Sequence, residues 1–288
     1  MIKKQKFPDY YTIWHKLGHY AIKYVAYLVL VFLIVPILVI IPLSFNVEPY
    51  FTFTEGMVKF DPAAYSLRWY ESMYTDPNWH LALKNSLVIG IFATLIATIL
   101  GTMAAVGLSS THMPFKRLVM ALLLSPMIVP LIIIAAGMFF FYAKFGLAGN
   151  YAGLIIAHAV LGIPFVIITV TATLTSFDRS LYYAGLSMGA SPLKTFFDVV
   201  VPMIRPGVIS GAMFAFVTSF DEVVVVLFLA GPGQRTIPRQ MFSGLREQIN
   251  PTILAVATVL IAIAVMFLVT LELLRRRSDR LRGLDEHA

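Results

Sequence analysis

Six long apolar segments, separated by short polar or charged stretches, set the pattern of this sequence. Crossing the hydrocarbon core of a bilayer as a helix requires about 20 apolar residues, and each segment reaches that length. The pattern therefore predicts an all-α integral membrane protein with six transmembrane helices in a single domain, undivided by a linker or an internal repeat. The predicted spans are residues 24–43, 83–109, 118–142, 151–174, 207–230 and 252–274.

Composition supports lipid as the surrounding solvent. Hydrophobic residues make up 59% of the chain and charged residues 13%, with a mean hydropathy of +0.82. Soluble proteins have roughly 45–50% apolar and about 25% charged residues. The net charge of +7 comes from basic residues clustered between the apolar segments, a distribution typical of membrane orientation and not of nucleic-acid binding.

The basic residues also predict the orientation, because loops on the cytoplasmic side carry an excess of lysine and arginine. Placing both termini in the cytoplasm gives that side about twice as many basic residues as the other. The cytoplasmic parts are then the tails 1–23 and 275–288 and the loop 175–206. The cytoplasmic basic residues are Lys3, Lys4, Lys6, Lys16, Lys23, Lys116, Arg117, Arg179, Lys194, Arg205, Arg275, Arg276, Arg277, Arg280 and Arg282.

The two tails have distinct predicted roles. Aromatic and aliphatic residues recur at helical spacing from Tyr10 to Tyr20, which predicts an amphipathic helix on the cytoplasmic membrane surface. The first apolar segment is too long for a signal peptide and lacks a small-x-small cleavage pattern, so we expect it to be retained. Three consecutive arginines from Arg275 are interpreted as an anchor that meets anionic lipid.

Two spans carry a small residue at every fourth position, which lets helix backbones approach closely in lipid. We expect both spans to lie inside the bundle, and we expect Pro126, Pro130 and Pro164 to kink the third and fourth spans. The two ladders are Ala93, Ala97, Gly101 and Ala105 in the second span and Gly207, Gly211, Ala215 and Ser219 in the fifth.

The loop 175–206 predicts two short helices joined by a turn. Asp178 or Ser180 can cap a first helix over Leu181–Met188, and Gly189 stands where that helix should end. Pro192 can open a second helix over Leu193–Val201, which should stop near Pro202. The expected result is a helix–turn–helix elbow that faces the cytoplasm.

The sequence gives no support for a catalytic site or a nucleotide-binding site in this chain. Residues 185–189 match the G-x-S-x-G nucleophile elbow, but that motif requires a preceding strand and triad partners. The chain has no Gly-Lys dipeptide, hence no P-loop, and no cysteine. We therefore expect no enzyme activity, no metal and no cofactor in this chain; if ATP drives its work, another subunit binds it.

The loop resembles the EAA motif of ABC importer permeases. Tyr183, Ala184 and Gly185 stand at the E-A-A positions, Gly189 at the motif glycine, and Val199, Val201 and Pro202 at its tail. Tyr183 replaces the acid and Gly185 the second alanine. Further segments are similar to the spermidine/putrescine-type C subunit, whose group also includes opine permeases: residues 66–70, 85–87, 219–222 and 246–252.

The resemblance implies a type I ABC importer permease fold and a set of partners. These are a second, homologous permease, two cytoplasmic ATPase subunits that hold ATP and magnesium, and a periplasmic substrate-binding protein. It also implies that the elbow docks on the ATPase and that transport proceeds by alternating access. The implied coupling residues are Tyr182, Tyr183, Ala184, Gly185, Leu186, Ser187, Met188, Gly189, Ala190 and Pro202.

Asp221 and Glu222 are acids inside a predicted span, where charge is costly and usually functional. One interpretation places them in the substrate path, where they attract a cationic or amino-bearing solute and Phe216 and Phe220 add cation–π contacts. The alternative is that Asp221 makes a structural hydrogen bond while Glu222 reaches outer water. His158 is interpreted as a hydrogen bond between helices, and Lys84 and Asn85 as an interfacial anchor and a cap or helix link.

Two other functions remain open. A secondary transporter or channel would not need the elbow and would show charged residues at several depths of the membrane. A permease for an anion such as sulfate or molybdate would share the elbow but would not favour acids along its path. For residues 44–80, an outer-surface helix and a docking site for the binding protein are both compatible with the pattern.

Overall fold

The computed structural model describes residues 10–110, 113–247 and 250–281. Lys3, Lys4, Lys6, Arg282, Gln248 and Ile249 lie outside the described residues, as do the side chains of Arg275, Arg276 and Arg277. In the described part, helices alone form the fold, with one isolated bridge between Asn46 and Tyr65. The helices are α1 (Ile13–Leu43), α2 (Glu55–Val58), α3 (Arg68–Thr75), α4 (Pro77–Ser109), α5 (Lys116–Ile128), α6 (Leu131–Lys144), α7 (Tyr151–Thr175), α8 (Arg179–Ser187), α9 (Pro192–Thr195), α10 (Val201–Asp221), α11 (Val224–Leu229), α12 (Ile237–Glu247) and α13 (Thr252–Leu281).

Among the described residues, five helical stretches are long and apolar enough to cross a membrane: α1, α4, α7, the run Pro192–Asp221 and Thr252–Thr270. The pair α5 and α6 adds a sixth if it is counted as one span, bent by 103° at its break. The predicted all-α membrane protein with six spans is confirmed on this count.

One compact unit holds α1, α2, α3 and α13. Asn46 organises the segment after α1: its side-chain amide donates to the carbonyls of Tyr50 (3.2 Å) and Thr52 (3.0 Å), and its own carbonyl accepts from the indole N–H of Trp69 (2.6 Å). The amphipathic stretch predicted before the first span is the beginning of α1, which continues from Ile13 through Leu43.

The second unit, residues 76–247, is built around α4, α7 and α10. Both predicted ladders are buried, and both face α7. Gly162 of α7 fits between them: a Cβ atom there would lie 3.2 Å from the Cβ of Ala97 and 3.0 Å from the Cβ of Ala215. The prediction that small residues hold the inner faces of these two spans is confirmed.

The predicted prolines behave differently. Pro130 precedes α6 at the 103° break, because its ring cannot continue the hydrogen-bonding pattern of α5. Pro126 and Pro164 instead lie inside α5 and α7, whose helical assignment runs on through them.

The fifth span departs from prediction at both ends. The second helix of the elbow does not stop near Pro202 as expected: α9 passes through a π-helical turn, Phe196–Val200, directly into α10. A wider turn just before Pro202 accommodates a ring that lacks an N–H. At the other end, α10 stops at Asp221 and α11 begins at Val224, so the expected continuous span 207–230 is broken.

Candidate coupling elbow and transport path

The elbow is formed by α8 and α9, and the turn between them depends on Gly189. The Asp178 carboxylate accepts a hydrogen bond from the Ser180 N–H (2.9 Å) at the start of α8, and this bond lowers the pKa of Asp178. Gly189 has φ of +85°, a conformation that side-chain-bearing residues rarely adopt. The Ser191 hydroxyl then accepts from the Lys194 N–H (3.3 Å) to cap α9. Asp178 thus caps the start of α8, and Gly189 forms the turn after its end, as the sequence predicts.

Close packing of α8 on α9 accounts for Gly185 at the position of the motif's second alanine. It is buried, and a Cβ atom at this position would lie 2.7 Å from the Thr195 Cγ2 atom. Real Cβ atoms essentially never show so short a contact. The absence of a side chain at residue 185 therefore lets α8 lie directly against α9.

The two faces of the elbow differ in their exposure. Tyr182 packs against the apolar cluster that includes Val200 and Ile204, so it faces the bundle. Several apolar side chains of the elbow and of the π-helical turn that follows it point to solvent: Leu181 (44% exposed), Tyr183 (61%), Met188 (83%), Leu193 (72%) and Phe197 (61%). Such a group of exposed apolar side chains is typical of a protein–protein interface.

The predicted coupling residues therefore separate into groups. Tyr183, Ala184, Ser187, Met188 and Gly189 are exposed, and Leu186 and Ala190 are partly buried. Tyr182 and Gly185 instead hold the elbow to the bundle. Pro202 is exposed but belongs to the first turn of α10, beyond the elbow.

Asp221 and Glu222 lie at the break between α10 and α11. The alternative interpretation gave Asp221 a structural hydrogen bond and Glu222 contact with water, and the structure reverses these two roles. Glu222 is buried (7% exposed), and its Oε1 accepts a hydrogen bond from the Val225 N–H (2.9 Å), which caps α11. Asp221 is exposed. The structural hydrogen bond expected of Asp221 is thus made by Glu222, and Asp221 is the carboxylate left accessible.

A residue that sequence reasoning missed holds the other end of α11. The Arg239 guanidinium donates from Nη1 to the carbonyls of Ala230 (3.1 Å) and Gly231 (3.0 Å). A helix favours a negative group at its N-terminus and a positive group at its C-terminus. Glu222 and Arg239 therefore fix α11 from both ends. In the sequence Arg239 is one arginine of an amphipathic segment. The carbonyls to which it donates lie eight and nine residues earlier, so the sequence pattern does not reveal the contact.

Phe216 and Phe220 stack on each other, with ring centroids 5.8 Å apart and an angle of 29° between the rings. Phe216 also packs on α4: its Cε2 atom lies 3.1 Å from where a Cβ of Gly90 would stand. Both rings are partly buried beside the break.

Asn85 and Ser86 fasten the loop after α11 to α4. The Asn85 side chain donates to the carbonyls of Gly233 (3.0 Å) and Arg235 (2.8 Å) and accepts from the Tyr151 hydroxyl (2.8 Å). The Ser86 hydroxyl accepts from the Ile237 N–H (2.8 Å). The interpretation of Asn85 as a link between helices is confirmed.

His158 and Ser219 join α7 to α10 through a buried hydrogen bond of 2.8 Å between Nδ1 and Oγ. This confirms the interpretation of His158 as an interhelical contact. Within the described ranges 10–110, 113–247 and 250–281, no group of three or more His, Cys, Asp or Glu residues could hold a metal ion.

Comparison with known families decides what this geometry belongs to. The family described as "Binding-protein-dependent transport system inner membrane component" matches residues 97–281, which include the elbow, the break and the central bundle. The chain belongs to this family. It is a multi-pass permease subunit of an ABC importer, a kind of subunit that is not itself catalytic.

Similar proteins place this permease near a particular group. It is 31% identical to the putrescine transport system permease protein PotI of Escherichia coli over 88% of this chain and 90% of that protein. It is 27% identical to the spermidine/putrescine transport system permease protein PotC of Haemophilus influenzae, over 88% and 95% of the two chains. The resemblance to spermidine/putrescine-type permeases is therefore confirmed.

Solved structures agree on the fold. A bacterial ABC transporter that imports the acidic polysaccharide alginate matches this permease with a TM-score of 0.68 at 15% identity, covering 93% of this chain and 99% of that one. The MetNI methionine ABC transporter matches with a TM-score of 0.55 at 20% identity, covering 71% and 95%. The predicted type I permease fold is confirmed.

Proposed function

We propose that this permease imports a small cationic nitrogenous solute, with polyamines as the first candidates, across the bacterial inner membrane. It works beside a second, homologous permease. A periplasmic binding protein delivers the solute, and two cytoplasmic ATPase subunits supply the energy. The identities to permeases named for putrescine and spermidine support this choice.

The observation that carries the proposal is the accessible Asp221 carboxylate at the end of α10. The last carbonyls of a helix lack intrahelical partners and form its negative pole. Here that pole, the Asp221 carboxylate and the partly buried Phe220 ring lie at one break in a membrane span. Broken helices inside membranes are tolerated where they are buried in protein or line a cavity, and transporters use them to bind ions and substrates. Each of the three groups favours a cation.

The elbow is the proposed connection to the ATPase. Its exposed apolar side chains, with Met188 and Leu193 the most exposed, would enter a groove on the ATPase subunit. ATP and magnesium would be held by that subunit. Closure of the two ATPase subunits would then move the elbow and switch the bundle between outward-open and inward-open states.

The test separates the two acids, because the structure gives them different roles. The permease is assembled with its companion subunits in lipid vesicles, and uptake of putrescine and spermidine and solute-stimulated ATP hydrolysis are measured. Asp221→Asn removes an accessible charge, so we expect apparent affinity for the cation to fall about tenfold or more. Glu222→Gln keeps an oxygen that can accept from Val225, so we expect uptake near the wild-type level. Glu222→Ala removes the cap, so we expect a lower thermal stability.

The result that would contradict the proposal is equally specific. Wild-type affinity in Asp221→Asn for every cationic solute tested would remove Asp221 from the path. Uptake of an anion by the wild-type assembly, with no response to polyamines, would favour the sulfate- or molybdate-type alternative. Uptake without nucleotide hydrolysis would favour a secondary transporter.

A further inference from the structure

Arg179 links the elbow to the transmembrane bundle through the end of α4. It is the first residue of α8, and its guanidinium donates from Nη2 to the carbonyl oxygen of Ser109. Ser109 is the last residue of α4, one of the central helices. A guanidinium at a helix C-terminus satisfies an orphan carbonyl and interacts favourably with the negative pole of the helix.

Two earlier carbonyls in the last turn of α4 have local partners, whereas the last one receives Arg179. The Ser109 hydroxyl donates to the Val106 carbonyl (2.7 Å), and the Ser110 N–H donates to the Gly107 carbonyl (3.1 Å). The Ser109 carbonyl receives the guanidinium of a residue 70 positions further along the chain. This contact therefore closes the end of α4 with a side chain from the elbow.

The second attachment of α8 leads to a different helix. Gly185 packs directly on Thr195 of α9, and α9 continues through the π-helical turn into α10. The elbow is thus attached to α4 through Arg179 and to α10 through Gly185. Both helices pack on α7 through their ladders of small residues.

From this geometry we infer that Arg179 is a positioning residue that transmits movement of α8 to α4. The inference rests on the proposed coupling role of the elbow. When the ATPase subunits displace α8, the attachment at Gly185 moves α10, and the attachment at Arg179 moves α4 with it. Without Arg179 the elbow can still dock, since its exposed apolar face is unchanged, but its displacement reaches α4 only indirectly, through α10 and α7. ATP hydrolysis would then proceed with little transport.

The test measures how much solute is transported for each ATP hydrolysed, in the complete transporter reconstituted in lipid vesicles. Arg179→Ala and Arg179→Gln should lower this ratio severalfold, while ATP hydrolysis and co-purification with the ATPase subunits continue. Arg179→Lys keeps a cation that can reach the carbonyl and should restore most of the ratio. Arg117→Gln, at the start of α5, removes an exposed arginine outside the elbow and should leave the ratio unchanged.

Each remaining outcome counts against the inference. An unchanged ratio in Arg179→Ala would show that α4 does not depend on this attachment. Loss of the ATPase subunits on purification would make Arg179 a docking contact instead. A ratio in Arg179→Lys as low as in Arg179→Ala would show that a cation at the end of α4 is not what matters. Failure of the proposed function is distinguishable, because the wild-type assembly would then show no ATP-dependent uptake at all.

Discussion

Gly211 offers the sharpest test of how the central bundle is held together. It lies on α10 where that helix meets α7, and a Cβ atom at this position would stand 2.5 Å from the Thr169 Oγ1 atom and 2.8 Å from the Val166 Cα atom. The threonine side chain can rotate away, but the Cα atom belongs to the backbone of α7. Gly211→Ala therefore forces the two helices apart.

The magnitude follows from two opposing effects. Overpacking of a well-packed contact costs about 1–3 kcal/mol. Replacing a mid-helix glycine with alanine recovers about 1 kcal/mol of helix propensity. With a backbone atom as the obstacle, the net loss should be about 1–2 kcal/mol. A change of 1 kcal/mol shifts the unfolding temperature of a domain of this size by about 2–4 °C, so Gly211→Ala should unfold about 2–8 °C below the wild type.

The assay compares unfolding temperatures of the purified permease in detergent, from the loss of the monodisperse peak in size-exclusion chromatography after heating. Gly137→Ala in α6 is the matched control, because a Cβ atom there meets no atom within 4 Å. Gly137→Ala should unfold at or slightly above the wild-type temperature, since only the gain in helix propensity remains. Equal unfolding temperatures for the two variants would refute the close α7–α10 contact.

Two further predictions concern Asn85 and Gly189. Asn85→Ala removes the Asn85 amide from the Arg235 carbonyl and takes one of two partners from the Gly233 carbonyl and the Tyr151 hydroxyl, which still bond to each other (3.2 Å), so the loss should be about 1–3 kcal/mol. The unfolding temperature should fall and proteases should cut the 231–236 loop faster. The exposed Lys84→Ala serves as the control, and equal effects of the two substitutions would show that Asn85 does not hold this loop to α4. Gly189→Ala places a side chain at φ of +85°, at a cost of about 1–2 kcal/mol, and should lower ATP-dependent uptake more than Gly189→Asn, because asparagine tolerates this conformation; wild-type uptake in Gly189→Ala would show that the turn of the elbow is not required.

The features that the sequence predicted well are those that depend on local pattern. Small residues at every fourth position marked the inner faces of two spans, because in lipid the close approach of backbones is itself a driving force for packing. Ala97 and Gly211 lie on those faces as expected. The turn at Gly189 was predictable for a similar reason, since a glycine after a capped helix marks the position where φ turns positive.

The break between α10 and α11 was not predictable from the same pattern. Hydropathy measures side chains, and apolar residues resume directly after the two acids, from Val223 to Leu229, so the span looks continuous. Two side chains hold α11 on the far side of the break: the Glu222 carboxylate accepts from the Val225 N–H at its start, and Arg239 donates to the Ala230 and Gly231 carbonyls just after its end. A pair of acids inside an apolar run is the one visible trace of the break, and it reads equally well as a pair of substrate ligands.

Hydropathy also does not show that α9 continues into α10, and this continuity has a mechanical consequence. The run Pro192–Asp221 is a helix of 30 residues, with the elbow contact at Thr195 near one end and Asp221 at the other. At 1.5 Å per residue it is about 45 Å long. Because a helix is stiff along its axis, a displacement of α9 reaches Asp221 without passing through a loop. One helix therefore connects the proposed ATPase contact to the proposed cation site. A span that began at residue 207, as expected from the sequence, would have been separated from the elbow by a loop.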